Sequence, residues 1–402
     1  MKNKIGNESI VRAGFVILIA NAIYQIANFL YHFFSARMLG PAEYSIVASL
    51  FSIIYLVGMG SMTIQNTITK FTAKFKAENE KGKISYLFHR GSRKLFIYSI
   101  ILTAIFLCIS PLIANFLKIP IIPILIISPF IILAFLIPIN RGVLQGIQNF
   151  KALGLNLILE GMTKLILALL LIYLGFKANG AIFAVLVSLI VAFIFTFPSL
   201  KFKKEKTAKI DSKEIYKFSI ISFMALFLIT AIYNVDIFLV KHFFSAEQAG
   251  HYAVLSLLGK IIFFGATSIG LVMFPKISAQ EKEKDKNKKV FKKSIIFTSI
   301  ISVFIAAIYY LFSKQIVSIA FGQNYIDISG MLGAFGIFMV FLSLSYICIL
   351  HKLAIGKKKF IINILIALLL EIILIVLFHA TLSQIVTSLI ILNILLFISL
   401  LN

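Results

Sequence analysis

Apolar residues run in long stretches along this chain, and short polar segments separate them. A helix that crosses a bilayer needs roughly 20 mainly apolar residues. Since backbone groups in hydrocarbon must be hydrogen-bonded internally, the pattern predicts an all-α polytopic membrane protein. We predict about twelve transmembrane helices, with boundaries near 11–34, 44–68, 95–117, 119–139, 152–174, 180–198, 216–240, 250–275, 291–312, 328–350, 360–378 and 382–400.

The composition agrees with this prediction. Of 402 residues, 60% are hydrophobic and only 13% are charged, whereas soluble domains carry about 25% charged residues. The two cysteines, Cys108 and Cys348, lie inside apolar runs. They offer neither a disulfide framework nor a metal-binding spacing, so we expect no metal centre.

The net charge of +24 is distributed unevenly. With twelve spans, 32 of the 39 lysines and arginines fall in the N-terminal segment and the even-numbered loops, and five fall in the odd-numbered loops. The positive-inside rule then predicts a multi-pass protein of the cytoplasmic membrane with both termini in the cytoplasm. The basic charge is explained by topology and by anionic membrane lipids, so we expect no nucleic-acid partner.

A four-residue string, HFFS, occurs twice, at His32–Ser35 and His242–Ser245. Each copy is followed by Ala-Glu, by a helix and then by a cytoplasmic loop rich in lysine. The same order on the same side of the membrane predicts a parallel repeat of two six-helix lobes. The predicted domains are lobe 1–200, an inter-lobe cytoplasmic loop 201–215 and lobe 216–402, with the substrate bound between the lobes.

Three segments resemble signatures of a known family: "ARMLGPAEYS" (36–45), "FSAEQAGHYAVLSLLGKI" followed by "MFPKIS" (244–278), and "RGVLQGIQNF" (141–150). They are similar to the polysaccharide transporter, or oligosaccharide flippase, family of the multidrug/oligosaccharidyl-lipid/polysaccharide exporter superfamily. The resemblance implies a MATE-like, V-shaped fold that flips lipid-linked sugars by alternating access. It implies a monomeric transporter rather than an enzyme, without a cofactor but with Na+ or H+ as a candidate coupling ion.

Charged residues inside the spans need a reason, because each costs about 2.5–3.5 kcal/mol at mid-bilayer on insertion scales. Glu160 and Lys164 lie four residues apart on span five, on one helical face, in the favourable order of acid before base. One interpretation is a self-neutralising pair that lets the helix insert. The other is a cavity wall in which Lys164 binds an anionic headgroup.

Two more cations are candidate substrate contacts. Lys260, in span eight, has no acid nearby on its own helix, and a point cation in a low dielectric attracts phosphate strongly. The alternatives are an ion pair with Asp236 or Glu371, or a side chain that extends to the membrane surface. Arg141, at the cytoplasmic end of span four, is predicted either to guide a phosphate or to anchor the topology.

Uncharged polar residues follow one face of span one. Asn21, Gln25, Asn28 and His32 share this face at helical spacing. Such a stripe is typical of a hydrated cavity that binds sugar hydroxyls, or of hydrogen bonding between helices. We predict that Asn21, Gln25 and Asn28 bind substrate and that His32 lies at the rim.

Two carboxylates are candidates for cation binding. In relatives of the superfamily, a carboxylate on span seven and polar groups on span eleven form a sodium or proton site in the C-terminal lobe. Asp236, in span seven, matches this arrangement, and Glu371, in span eleven, matches it more loosely. Carboxylate oxygens suit hard cations. The alternative is a structural salt bridge.

Two other functions compete with the flippase. A cation-coupled multidrug-type antiporter of the same fold would have an acidic or aromatic cavity without buried lysines. A membrane glycosyltransferase or ligase would need catalytic acids at a membrane face. The predicted outer loops are short and nearly free of acids, and the sequence contains no Asp-x-Asp string and no Walker-type loop. We therefore predict no catalytic residues.

Overall fold

A computed structural model describes residues 2–200, 212–279, 284–355, 357 and 359–401. Every regular element in these residues is helical, which confirms the predicted all-α class. The α-helices, in chain order, are α1 (Lys2–Ala77), α2 (Lys81–Leu117), α3 (Ile121–Ile127), α4 (Phe130–Gly146), α5 (Phe150–Leu171), α6 (Lys177–Thr196), α7 (Ser212–Ile232), α8 (Val235–Phe243), α9 (Ala246–Ala279), α10 (Lys284–Leu311), α11 (Ser313–Phe321), α12 (Ser329–Ala354), α13 (Phe360–Leu377) and α14 (Leu382–Leu401).

Nine helical stretches among the described residues are long and apolar enough to cross a membrane. Two of these stretches, Ile19–Ala77 and Phe150–Ser199, each contain a glycine with a positive φ, Gly40 at 73° and Gly175 at 88°. Since such a glycine interrupts the helix, each stretch spans two of the predicted segments. The chain is a multi-pass membrane protein, and the number of twelve spans stays a prediction.

The first predicted loop is shorter than expected. Instead of a connection between spans one and two, the structure has one non-helical residue, Gly40, followed at once by Pro41. The break between spans three and four lies where the sequence predicts it. There α2 ends at Leu117, Lys118 adopts a left-handed conformation and Pro120 precedes α3.

Span seven, predicted as one continuous helix, is two. α7 ends at Ile232 and α8 begins at Val235, with Tyr233 and Asn234 between them. The predicted outer loop before span ten also has structure of its own, since it contains α11 and a 3-10 turn at Gln323–Ile328. Apolar composition alone reveals neither feature, because a helix break changes direction without changing hydrophobicity.

The chain divides into two compact units. The first unit contains Met1–Leu39 and Ile53–Phe227, and the second contains Gly40–Ser52 and Leu228–Asn402. Inside the second unit, the segment 40–52 contacts the start of the C-terminal half: Lys241 Nζ donates to Ser45 Oγ at 2.8 Å. Residues 201–211 of the predicted inter-lobe loop lie outside the described residues.

Each unit is built around long helices packed on one another. In the first unit α5 packs on α6, and α4 packs on α2 and α6. In the second unit α12 packs on α9, α10 and α14, while α13 packs on α14 and α8. These helices bring the six charged residues singled out in the sequence into buried positions, three in each unit.

Candidate functional site

The cluster in the first unit centres on an ion pair between α4 and α5. Arg141 Nη2 lies 2.5 Å from Glu160 Oε2, and Arg141 Nε donates to Asn156 Oδ1 at 2.8 Å. Asn156 Nδ2 in turn donates to the carbonyl of Ala192, on α6, at 2.6 Å. All three side chains are buried. This pairing satisfies a charge that would otherwise be costly at this depth.

Lys164 lies one turn further along α5 and is also buried. Its ammonium donates to Asn28 Oδ1, on α1. It lies over two aromatic rings, 5.2 Å from the centroid of Tyr31 and 5.9 Å from that of Tyr24. Tyr24 also donates its hydroxyl to Glu160 Oε1 at 2.9 Å, so α1 and α5 share one network.

The polar stripe of α1 changes from exposed to buried along its length. Asn21 and Gln25 are exposed and Asn28 is partly exposed. Asn28 Nδ2 lies 3.5 Å from Gln25 Oε1, the outer limit for a hydrogen bond. His32 is buried, with Nε2 3.3 Å from the hydroxyl of Tyr55. The open part of the stripe therefore leads to Lys164.

The cluster in the second unit lies at the break between α7 and α8. Asn234, in the break, is fully buried and donates through Nδ2 to the carbonyl of Thr230 at 2.9 Å. Lys260, on α9, donates to Asn234 Oδ1 at 3.0 Å and lies 5.6 Å from the centroid of the Tyr233 ring. The break thus supplies these two contacts of Lys260 through residues that lie between α7 and α8.

Asp236 lies in the first turn of α8 and is fully buried. Its Oδ2 accepts a hydrogen bond from the hydroxyl of Tyr252, on α9, at 2.7 Å. Its Oδ1 has no hydrogen-bond donor among the described residues. Burial disfavours a negative charge at this position, whereas the charge of Lys260 and the positive end of the α8 dipole favour one.

Glu371, on α13, and Asn393, on α14, are buried polar residues of the same unit. Phe243, seven residues after Asp236, stacks on His379, eight residues after Glu371, with ring centroids 4.1 Å apart. Because α13 and α14 form an antiparallel hairpin, with Asn363 Nδ2 3.2 Å from the Ser399 carbonyl, Glu371 pairs in register with positions near Asn393. The charge of Glu371 also interacts with Asp236.

These groups leave several buried oxygens without donors. Within the part of the chain that the structure describes, both carboxylate oxygens of Glu371 and Oδ1 of Asn393 have no hydrogen-bond partner, like Oδ1 of Asp236. A buried oxygen without a donor is costly, and a proton or a cation would offset this cost. An all-oxygen set of this kind suits a hard cation.

The structure brings most of the predicted residues together. Lys164 and Asn28 are in direct contact, and the electrostatic interactions of Asp236 connect it with both Lys260 and Glu371. Arg141, predicted as a phosphate guide or an anchor, pairs with Glu160 in the interior. Sequence reasoning missed Tyr24, Tyr31, Tyr252 and Asn393. For Asn393, an amide inside a strongly apolar helix was an available signal.

Comparison with known families identifies the chain. A family model described as "Polysaccharide biosynthesis protein" matches residues 34–330. An uncharacterized membrane protein of Methanocaldococcus jannaschii is 26% identical over 336 residues, which cover 78% of this chain and 77% of that protein.

Two solved structures show which fold the chain has. An inward-facing multidrug resistance MATE family transporter of the MOP superfamily matches with a TM-score of 0.79 at 15% identity, covering 94% of this chain and 93% of that one. The lipid II flippase MurJ, in an inward closed conformation, matches with a TM-score of 0.75 at 17% identity, covering 96% and 87%. The predicted MATE-like fold is confirmed. The chain belongs to the polysaccharide biosynthesis protein family and has the fold of the MOP superfamily.

Proposed function

We propose that this protein flips a lipid-linked oligosaccharide, a precursor of a polysaccharide or glycan, across the cytoplasmic membrane by alternating access. One observation carries the proposal. In a chain of the polysaccharide biosynthesis family, the buried cluster of the first unit contains two cations, Arg141 and Lys164, and one acid, Glu160. The excess positive charge suits an anionic phosphate or diphosphate, and the exposed amides of Asn21 and Gln25 suit sugar hydroxyls.

The substrate-binding residues follow from this arrangement. In the first unit we assign Lys164, Asn21, Gln25 and Asn28. In the second unit we assign Lys260, whose ammonium is held by Asn234. Neither assignment requires a catalytic residue or a cofactor, and we propose a monomeric transporter rather than an enzyme, with both termini in the cytoplasm.

We further propose that transport is coupled to Na+ or H+ in the second unit. Its cluster has the opposite balance, because the two acids Asp236 and Glu371 accompany the single cation Lys260. The buried oxygens without donors, including that of Asn393, are the ligands that a cation would complete. The ion supplies charge compensation, and the residues of this chain supply the oxygen atoms.

A flipping assay in proteoliposomes tests the proposal. The substrate is a fluorescent lipid-linked oligosaccharide, and flipping is measured as the fraction quenched by an impermeant reductant. We expect Lys260→Ala to lower the flipping rate about tenfold, equivalent to roughly 1.4 kcal/mol. We expect Asp236→Asn to remove the response to an imposed Na+ or H+ gradient.

Controls separate this function from its competitors. Lys314→Ala removes an exposed cation of α11 and should leave flipping unchanged. Normal flipping in both site variants, with normal insertion, contradicts the site assignment. Efflux of a cationic drug without any flipping by the wild-type protein would instead establish the antiporter.

A further inference from the structure

Two tyrosines in the first unit surround the ammonium of Lys164. The ring centroids of Tyr31 and Tyr24 lie 5.2 and 5.9 Å from Nζ. A cation within about 6 Å of an aromatic ring is attracted by the ring quadrupole. The rings therefore stabilise the ammonium at this position. Unlike a carboxylate, they do not neutralise its charge.

Both rings are fixed by their hydroxyls. Tyr31 donates to the carbonyl of Ala181, on α6, at 3.0 Å, and its side chain is only 1% exposed. Tyr24 donates to Glu160 Oε1 at 2.9 Å. Because each hydroxyl is bonded, neither ring is free to turn away from Lys164.

Glu160 is itself held in place. Its Oε1 accepts from Tyr24 and its Oε2 pairs with Arg141 at 2.5 Å. Arg141 is held by Asn156, which is anchored to the backbone of α6. A continuous series of hydrogen bonds thus runs from the α6 backbone to the ring of Tyr24.

We propose that Tyr24 and Tyr31 form an aromatic clamp that positions Lys164 to bind a phosphate or diphosphate group, and that Arg141 and Glu160 act only by holding this clamp. The proposal rests on the proposed function and refines it. Arg141 becomes a positioning residue, because its guanidinium is already engaged by Glu160 and Asn156. Asn28, a neutral amide bonded to the ammonium, is a partner that an anion can displace.

Binding of a diphosphate probe to the purified full-length protein tests the clamp. Farnesyl diphosphate is the probe and farnesol is the uncharged control, both measured by calorimetry in detergent. We expect the wild-type protein to prefer the diphosphate and Lys164→Ala to lose this preference. Tyr24→Leu, which removes a ring, should raise Kd about tenfold, within the range of cation–π interactions. Tyr24→Phe and Tyr31→Phe, which keep the ring but free it, should raise Kd less.

Tyr309→Phe is the matched control. It also removes a buried hydroxyl that donates to a backbone carbonyl, that of Leu258 at 2.8 Å, but it lies in the second unit. Its Kd should equal that of the wild type. An unchanged melting temperature shows that the tyrosine variants fold. If they then bind the diphosphate like the wild type while Lys164→Ala does not, the clamp is wrong and the flippase proposal stands. If the wild-type protein neither prefers the diphosphate nor flips substrate, the proposed function itself is wrong.

Discussion

At the scale of single residues, the most informative group is the carboxylate of Glu371. It lies in the middle of α13, is 1% exposed, and neither of its oxygens meets a donor among the described residues. Charged groups inside a membrane protein are usually paired or functional. Since the charge of Glu371 interacts with that of Asp236, which has another oxygen that lacks a donor among the described residues, the two acids repel each other unless a proton or cation intervenes.

This arrangement predicts that Na+ stabilises the folded protein. A ligand present at 100 times its Kd adds about 2.7 kcal/mol to the free energy of unfolding. We expect the melting temperature in NaCl to exceed that in choline chloride at equal ionic strength. Asp236→Asn and Asn393→Leu, each of which removes a ligand oxygen, should abolish the difference.

Control and contradiction are both simple here. Asn363 lies eight residues before Glu371 on α13, and its amide contacts the Ser399 carbonyl. Asn363→Leu should therefore keep the response to Na+. A response to Na+ that survives in Asp236→Asn and Asn393→Leu would exclude these residues as ligands. A stabilisation by acid instead of Na+ would identify H+ as the ion.

The partner of Glu160 marks the limit of sequence reasoning at this scale. Spacing on α5 suggests Lys164 as its partner, because residues four apart share a helical face. The structure pairs Glu160 with Arg141, 19 positions earlier and on α4. A sequence pattern reveals neighbours on one helix. Which second helix packs there depends on the whole fold, so the sequence could identify the charged residues but not their pairing.

At the scale of elements, the breaks between helices do more to position the candidate site residues than the helices themselves. Apolar runs predicted nearly every helix, since hydrophobicity and length suffice for that. The interruption at Tyr233–Asn234 was not predicted, although it gives Lys260 its contact with Asn234 and places Asp236 in the first turn of a new helix. Interrupted helices of this kind commonly form ion and substrate sites in transporters.

A close approach between α1 and α9 in the second unit gives a prediction for stability. A Cβ on Gly250 would overlap the carbonyl oxygen of Pro41, a backbone atom that has little freedom to move. We expect Gly250→Ala to lower the free energy of unfolding by about 1–3 kcal/mol, the usual cost of overpacking. The measurement is thermal unfolding in a Cys108→Ser background. Unfolding is detected by a dye that reacts with the Cys348 thiol, which is buried in the folded protein.

Gly330→Ala is the matched control, because a Cβ there meets nothing within 4 Å. It should leave the melting temperature nearly unchanged. Equal melting temperatures for the two alanine variants would mean that the backbone at Pro41 adjusts easily and that this contact contributes little.

At the scale of the whole molecule, both units are built of long packed helices, but they differ in buried charge. The first unit buries two cations, Arg141 and Lys164, with one acid, Glu160. The second unit buries two acids, Asp236 and Glu371, with one cation, Lys260. The repeat of HFFS predicted two related halves, yet their chemical difference depends on single residues that a repeat does not constrain. This asymmetry is why we assign the coupling cation to the second unit, although Lys260 of that unit also contributes to substrate binding.

The distribution of basic residues predicts the orientation of the whole chain, and this prediction can be tested directly. In a cysteine-free background, Lys286→Cys and Lys314→Cys each place one thiol at an exposed position, at the start of α10 and in α11. Because the loop before α10 is rich in lysine, the positive-inside rule places it in the cytoplasm and α11 outside. An impermeant maleimide added to intact cells should label Lys314→Cys alone, and permeabilised cells should label both. Labelling of Lys286→Cys in intact cells would reverse the assigned topology, and with it the side from which the substrate enters.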